Sequence, residues 1–493
     1  MLAFLEPLEE LADYQEIVRK RGKAEGILQI AGCVSSQKTH LMYALGDGFE
    51  YRVIVFSSEE KAKQAYEEYK MLEENTFLYP AKDLLFYHAD IKGAALTGKR
   101  MEVLKKLTEK KNREPVTVIT TADAFLDGLP SKEKLWESRI EIEAGAVIDF
   151  QKLQEELVHL GYERESQIEG PGQFAVRGGI LDVYPLTEEI PVRIELWGDE
   201  IDSIRSFDVE SQRSVENMEQ VVIYPATENV EKEEQAVSFA EYFPKEKSLF
   251  FFDEPVRLQE TLEAVEKEYF HSFESRKNAG MTEEADEIRV FQTKEIIEKF
   301  NTRYGIGLTT LETRCGGFKV RDVYSIQAAG VNPYNNSFEM LTQDLKKLKR
   351  QGYRVILVSG SRTRAKRLAE DLRDYDLSSF YSEDMVRTVR PGEIMVVYGC
   401  VAEGYEYPML KFMVISESDI FGKRKKKRRR KVYEGQKIQE FAELKPGDYV
   451  VHENHGLGVY QGIEKVEVDK VTRDYMKISY ADGGILYILA TQI

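Results

Sequence analysis

Residues 31–45, AGCVSSQKTHLMYAL, contain the residue types of a nucleotide-binding loop. Such a loop has the pattern Gly-x4-Gly-Lys-Ser/Thr, follows a strand, opens a helix and binds phosphate through backbone N–H groups. Gly32, Lys38 and Thr39 stand at matching positions, but Gln37 replaces the second glycine. A side chain there crowds the loop where N–H groups would close on a phosphate. We therefore predict a structural strand-to-helix turn and not a functional nucleotide site.

An acidic pair later in the chain belongs to the same chemistry. The stretch SLFFFDEP, residues 248–255, predicts a buried strand that ends in Asp253 and Glu254, the arrangement of a Walker B pair. Carboxylates at the C-terminal end of a strand in an open α/β sheet can hold Mg²⁺. Without a competent phosphate loop, this pair has no nucleotide to serve. We predict no catalytic residues in the chain and no bound cofactor.

The cysteines and histidines do not form a metal-binding pattern. Cys33, Cys315 and Cys400 are widely spaced and odd in number, which is typical of a reducing cytosol. His452 and His455 lack the cysteine or carboxylate cluster that would complete a ligand set. We expect these histidines to shape a turn, and we predict no metal site.

Residues 423–431 read KRKKKRRRK, in a chain whose net charge is −17. Like charges packed this closely repel, so we expect a linker at 421–440. One interpretation is a solvated tether between domains, and the other is sequence-independent contact with DNA phosphates. The candidates for DNA contact are Lys423, Arg424, Arg428, Arg429 and Arg430.

The elements that would position these residues alternate between strands and helices. Apolar runs predict buried strands at 26–30, 51–56 and 116–120. Strands that alternate with amphipathic helices favour a parallel, doubly wound sheet. From Val323 onwards the same pattern predicts a second, smaller parallel sheet, with strands at 353–359, 395–400 and 412–416.

Residues 168–208 and the segment after Leu444 have a different pattern. In both, glycine-rich turns separate short runs of alternating residues, which is typical of antiparallel hairpins and, after Leu444, of a small barrel. The alternation within 192–197 places Arg193 and Trp197 on one face of a strand. An exposed aromatic residue beside an arginine has the composition of a protein-binding hot spot. The alternative is that Trp197 covers a neighbouring strand or loop.

The composition is that of a large folded protein. The 493 residues are 42% hydrophobic and 31% charged, which predicts roughly three to five domains with substantial cores. No apolar run approaches the ~18 residues that span a bilayer, and the N-terminus lacks a basic signal-peptide region. The negative net charge argues against a surface that binds nucleic acid everywhere. We expect a cytoplasmic protein.

Two stretches resemble known interaction modules. GQFAVRGGILDVYP (172–185) and RIELWGDEIDSIRSFD (193–208) are similar to the UvrA-binding module shared by UvrB and the bacterial transcription-repair coupling factors (Mfd). VVHENHGLGVYQGI (450–463) is similar to the CarD-like RNA-polymerase-interacting domain, which occurs in the coupling factors and not in UvrB. The connection after Pro80, with Tyr87 its single tyrosine, is too short for the tyrosine-rich DNA hairpin of UvrB. The chain therefore resembles the N-terminal half of the coupling-factor family.

The resemblance implies an α/β multidomain fold. Residues 1–140 and 228–322 would form a UvrB-like degenerate P-loop α/β domain, into which an α+β UvrA-binding module, 141–227, is inserted. A small α/β domain (323–420), the basic linker (421–440) and a CarD-like antiparallel β-barrel (441–493) would follow.

The resemblance also implies site residues. The family's UvrA contacts fall on Arg177, Arg193 and Trp197. The RNA polymerase β subunit would pair with a strand edge near Ile463, Val466 and Val468. The degenerate nucleotide loop and its acidic pair comprise Gly32, Lys38, Thr39, Asp253 and Glu254.

The function implied is recruitment of UvrA to stalled RNA polymerase in transcription-coupled nucleotide-excision repair. The family's ATP- and magnesium-dependent DNA translocase motor, which acts on double-stranded DNA upstream of the polymerase, is expected in residues not present here. Whether this chain is itself an enzyme stays open. We expect a monomer without a membrane partner. The alternatives are a UvrB-like nucleotide-dependent DNA-repair enzyme and a CarD-like polymerase-binding transcription regulator.

Overall fold

A computed structural model describes residues 2–82, 94–109, 114–228, 236–278, 290–383, 386–422, 445–452, 456–468, 471–479 and 485–489. These residues form a mixed α/β protein with several sheets, which confirms the predicted fold class at that level. Tyr87, His455 and residues 423–431, with the five candidates for DNA contact, lie outside the described residues. Within the described ranges, no helix is long and apolar enough to cross a membrane.

The N-terminal region alternates between strands and helices, as predicted. Its strands are β1 (Gly26–Ala31), β2 (Tyr51–Phe56), β3 (Thr76–Tyr79) and β4 (Val116–Thr121). Its helices are α1 (Leu2–Leu5), α2 (Ala12–Lys20), α3 (Ser35–Leu45), α4 (Glu59–Lys70), α5 (Ala94–Thr108) and α6 (Lys132–Glu137). Strands β1, β2 and β4 are buried at every position, as expected when helices cover both faces of a parallel sheet.

Residues 140–223 form a mainly antiparallel six-stranded sheet, a separate strand pair and one helix. The elements are β5 (Ile140–Glu143), α7 (Phe150–His159), β6 (Glu163–Glu165), β7 (Gln173–Arg177), β8 (Ile180–Val183), β9 (Val192–Trp197), β10 (Glu200–Phe207), β11 (Ser214–Met218) and β12 (Gln220–Ile223). Six strands form one sheet in the order β11-β10-β9-β8-β7-β6, and β5 pairs with β12. Helix α7 begins after Asp149, whose carboxylate accepts the N–H groups of Gln151 and Lys152. The apolar side of α7, with Leu153 and Leu157, belongs to the core beneath this sheet.

The chain then returns to the first sheet. The returning strands are β13 (Ser248–Asp253), β14 (Tyr304–Leu308) and β15 (Val320–Ser325), and the helices between them are α8 (Pro255–Asn278) and α9 (Thr293–Asn301). The seven parallel strands have the order β15-β1-β14-β13-β2-β4-β3. The boundary expected between residues 322 and 323 is wrong, because β15 pairs with β1 through Ser325.

The next unit has a mixed sheet. Its elements are β16 (Ala329–Gly330), α10 (Phe338–Arg350), β17 (Arg354–Ser359), α11 (Arg362–Arg373), β18 (Ser379–Ser382), β19 (Ile394–Tyr398), β20 (Tyr405–Tyr407), β21 (Phe412–Ser416) and α12 (Glu417–Phe421). The order is β16-β20-β21-β17-β19-β18. The prediction of a wholly parallel sheet is wrong at one edge, where β20 runs antiparallel to β21. A connection as short as Pro408–Lys411 can join only antiparallel neighbours.

The C-terminal strands are antiparallel, as predicted. They are β22 (Tyr449–His452), β23 (Gly456–Val468), β24 (Val471–Ser479) and β25 (Ile485–Leu489), in that order across the sheet. Within the described residues these strands pair in sequence from β22 to β25, and the small antiparallel barrel expected for 441–493 stays a prediction.

Helix α3 connects the first sheet to the second unit. The His40 Nδ1 atom lies 2.9 Å from the Tyr407 hydroxyl, and Nε2 lies 2.9 Å from the Phe4 carbonyl oxygen. A carbonyl only accepts, so Nε2 carries the proton and Nδ1 accepts from the tyrosine. Nearby, Glu68 accepts from the Ser36 hydroxyl at 2.7 Å and from the Ala402 N–H at 2.9 Å. These buried hydrogen bonds hold the two α/β units together.

We predict that this contact is acid-sensitive through His40. Burial lowers the pKa of His40 from its ordinary 6.5 to about 4. As the pH falls, the unfolded chain therefore binds the proton first, and the stabilisation by neutral His40 is complete above pH 6.5 and lost between pH 6.5 and 4. The loss should reach about 3 kcal/mol of unfolding free energy. Urea unfolding across this window should show a shallower decline for His40→Gln than for the unchanged chain.

The matched control is His159→Gln, because His159 is exposed on α7. This variant should decline as steeply as the unchanged chain. A His40→Gln variant with the same steepness would contradict the assignment.

Candidate functional site

The nucleotide loop, residues 32–39, is filled by its own side chains. It follows β1 and opens α3, with Gly32 at φ 84°. Gln37 is fully buried, and its side-chain oxygen accepts the N–H of Val34 at 3.1 Å. A glycine would leave this N–H open to a phosphate. Gln37 therefore caps the helix from inside the loop, in the place where a ligand would bind.

The lysine of the loop is bound by the acidic pair. Lys38 Nζ lies 2.6 Å from Asp253 Oδ1 and 2.7 Å from Glu254 Oε1. Lys61 Nζ lies 3.0 Å from the second oxygen of Asp253. Burial opposes the charge on Lys38, yet the two carboxylates raise its pKa. In a working site the lysine binds phosphate and the carboxylates bind Mg²⁺, whereas here they neutralise each other.

The carboxylate of Glu254 has a second partner, Thr310. It accepts the N–H and the hydroxyl of Thr310, each at 2.8 Å. Burial disfavours the charged carboxylate, but the hydrogen bond and charge of Lys38 lower the pKa of Glu254. Of the five predicted residues, Lys38, Asp253 and Glu254 form one ion-pair cluster. Thr39 is buried on α3, and Gly32 lies in the turn before this helix.

A second group of residues lies at the ends of two hairpins. Gly178 and Gly198, with φ values of 61° and 64°, open the tight turns after Arg177 and Trp197. The two turns are adjacent, because the N–H of Leu196 donates to the carbonyl of Gly179 at 2.8 Å. Arg177 and Trp197 therefore lie at the same end of the six-stranded sheet.

The Arg-Trp surface comprises Arg177, Arg193 and Trp197. Trp197 is 84% exposed, so the alternative that it covers a neighbouring strand or loop is wrong. The side chain of Arg177 is 46% exposed and that of Arg193 only 13%. Arg193 lies against the ring of Phe207, with its guanidinium carbon 4.3 Å from the ring centroid. On the strand face that Arg193 was predicted to share with Trp197, the arginine is thus largely covered and the tryptophan is exposed.

Sequence reasoning missed the residue that joins the two arginines. Asp182 is 2% exposed and accepts hydrogen bonds from both guanidinium groups. The feature of the sequence that could have revealed Asp182 is its position as a charged residue within the otherwise apolar strand Ile180–Val183. An acidic residue in such a run requires a partner, because an unpaired buried charge is costly.

The C-terminal sheet presents a strand with one unpaired edge. Strand β23 pairs with β22 through residues 456–459 and with β24 through 459–468. In the described part of the chain, no strand lies beside 463–468 on the side opposite β24. Ile463 is 49% exposed there, and Val466 and Val468 lie further along the same strand. The backbone groups of this segment are available for strand pairing.

These two surfaces fall within known domain families. Residues 140–229 match the UvrB interaction domain, and residues 444–493 match the CarD-like/TRCF RID domain. The chain thus combines two interaction domains with a nucleotide loop that is internally filled.

The chain is related to the N-terminal region of transcription-repair-coupling factors. It is 26% identical to the transcription-repair-coupling factor of Bacillus subtilis strain 168 over an alignment 553 residues long, counted with its gaps. This alignment covers 99% of this chain and 46% of that protein. The chain is 28% identical over 483 residues to the same factor of Staphylococcus aureus strain RF122/ET3-1, covering 85% of this chain and 40% of that protein. The chain spans less than half the length of these relatives.

We predict that Lys38 stabilises the fold and does not bind nucleotide. Lys38→Met leaves the buried carboxylate of Asp253 and the half-buried carboxylate of Glu254 short of a cation, which should cost about 3 kcal/mol of unfolding free energy. Lys63→Met is the matched control, because the Lys63 side chain is 58% exposed on α4. Calorimetric titration with Mg-ATP should give no heat of binding for either variant or for the unchanged chain. Nucleotide binding that disappears in Lys38→Met would contradict this prediction.

Proposed function

We propose that this chain is an adaptor in transcription-coupled nucleotide-excision repair, which recruits UvrA and binds stalled RNA polymerase. The observation that carries the proposal is the exposed Trp197, which lies at the same end of the six-stranded sheet as the half-exposed Arg177. Both residues fall within the match to the UvrB interaction domain. Trp and Arg are the residue types that dominate binding energy in protein interfaces. We place the UvrA contact on the Arg-Trp surface.

The charges of this surface favour an acidic partner. Arg177 and Arg193 share the single carboxylate of Asp182, so the three residues together carry one net positive charge. A partner that covers Trp197 with an apolar pocket and offers a carboxylate to Arg177 would complement both features.

For RNA polymerase, we propose strand addition to the free edge of β23. The segment 463–468 has a partner strand on one side only within the described residues. An extended segment of the polymerase β subunit could pair with this edge through backbone hydrogen bonds, while Ile463 gives side-chain contact. The match of residues 444–493 to the CarD-like/TRCF RID domain supports this assignment.

The remaining expectations are part of the same proposal. Residues 1–140 and 228–325 would be one domain, because their strands form one parallel sheet, and the inserted 141–227 would be the UvrA-binding module. The basic run 423–431 would contact DNA phosphates as part of a linker. The chain would act as a cytoplasmic monomer without its own ATP or magnesium.

Two observations disfavour the alternatives. A UvrB-like enzyme would require a nucleotide loop that is open, and here Gln37 and the Lys38 ion pairs fill it. A CarD-like regulator would account for the C-terminal domain alone, whereas the similarity to a coupling factor covers 99% of the chain.

We predict that Trp197→Ala and Arg177→Glu each weaken binding to purified UvrA by about tenfold or more, as expected for central interface residues. Biolayer interferometry with the immobilised chain would measure this. Val215→Ala is the control, because Val215 is 62% exposed on the edge strand β11 of the same sheet. Wild-type affinity of Trp197→Ala would remove the UvrA assignment.

We predict that Ile463→Arg weakens binding to the purified polymerase β subunit by about tenfold, because it places a large charge at the unpaired edge. Leu457→Arg changes a residue of the same strand that is 61% exposed but lies where β23 already pairs with β22. This control should bind normally. Equal loss in both variants would indicate contact through the sheet face and would overturn the strand-addition proposal.

A further inference from the structure

Asp182 lies beneath the Arg-Trp surface and binds both of its arginines. Its Oδ1 atom accepts from Arg193 Nε at 2.6 Å. Its Oδ2 atom accepts from Arg193 Nη2 at 2.9 Å and from Arg177 Nη2 at 2.5 Å. Both carboxylate oxygens are therefore engaged, and the three side chains form one connected unit across β7, β8 and β9.

The sheet register places these residues together. Asp182 and Arg193 are directly opposed on β8 and β9, and Arg177 ends β7 on the other side of β8. Cross-strand neighbours on one face are close enough for direct side-chain contact. Arg193 also donates to the Gln212 side-chain oxygen at 2.8 Å and lies over Phe207. Arg193 is therefore held on several sides, whereas Arg177 is half exposed and held by Asp182.

Two guanidinium groups this close repel unless a carboxylate lies between them. The Asp182 carboxylate compensates that repulsion and limits the rotamers of both arginines. A guanidinium has five N–H donors, and the Arg177 bond to Asp182 uses the Nη2 group. The other N–H groups of Arg177 can be presented to a partner in a fixed orientation. A fixed donor loses less conformational entropy on binding than a free side chain does.

We infer that Asp182 is a positioning residue of the docking surface, which holds Arg177 beside Trp197 so that a carboxylate of the partner meets oriented donors. This inference rests on the proposed function of the Arg-Trp surface. A residue that only stabilised the sheet would affect binding through folding alone, and its effect would not depend on Arg177.

The test uses Asp182→Asn in the full 493-residue chain, with purified UvrA as the probe. The variant keeps the shape of the side chain and removes its charge. We expect affinity to fall about tenfold in the otherwise unchanged chain and only about threefold or less when Arg177 is already alanine, because coupled residues are not additive. Equal losses in the two backgrounds would overturn the inference.

Glu195→Gln is the matched control. Glu195 pairs with Arg205 on the same face, one pleat from Arg193, so it tests loss of a carboxylate that does not contact Arg177. Its affinity for UvrA should stay within about twofold of the unchanged chain, as for rim charges. A tenfold loss here would show that any charge on this face matters, and would overturn a specific role for Asp182.

Two further measurements test the inference without relying on the folding of Asp182→Asn. Arg177→Lys keeps the positive charge and leaves Asp182 unchanged, but lysine lacks the planar guanidinium group. This variant should also bind UvrA about tenfold more weakly. Wild-type affinity of Arg177→Lys would overturn orientation as the cause. Side-chain Nε–Hε relaxation by NMR should show an ordered Arg177 in the unchanged chain, and a disordered one would overturn the inference. If the unchanged chain does not bind UvrA, the proposed function itself fails, which is a distinct result.

Discussion

The ion pairs between Lys38 and the carboxylates of Asp253 and Glu254 are the interaction on which the first domain depends. They join the start of helix α3 to the end of β13, a strand inside the seven-stranded sheet. In the sequence, α3 precedes the inserted hairpin region and β13 follows it. In a nucleotide-binding protein these charges would be balanced by phosphate and metal. Here the lysine and the two carboxylates balance one another.

The filled loop also explains why the second unit can lie against α3. The helix is buried from Ser36 to Met42, and its outward side contacts Tyr407 and the backbone of Ala402 and Glu403 through His40, Ser36 and the neighbouring Glu68. A loop that had to open for a nucleotide would disturb this contact.

The charges of the Arg-Trp surface are arranged differently from those of the nucleotide loop. At the nucleotide loop, carboxylates and lysines compensate each other in the interior, whereas on the six-stranded sheet one buried carboxylate serves two arginines and leaves positive charge at the surface. Trp197 adds a large exposed apolar group at the same end. The C-terminal sheet differs again, since the feature it offers is unpaired backbone beside 463–468. The two proposed docking surfaces thus offer two kinds of contact, side-chain charge on the six-stranded sheet and, within the described residues, unpaired backbone on the C-terminal sheet.

Local patterns in the sequence determined much of this protein. The alternation from Val192 to Trp197 predicted that Arg193 and Trp197 share a face, and Gln37 predicted a nucleotide loop that is filled. Periodicity and turn residues act over a few positions, so they are readable without the fold. Tertiary structure decided the rest. It paired Lys38 with Asp253, 215 residues away, and added Val320–Ser325 to the first sheet. It also packed Arg193 against Asp182, Gln212 and Phe207. Those contacts depend on which strands become neighbours, and an ion pair or a burial has no period along the chain that could reveal it beforehand.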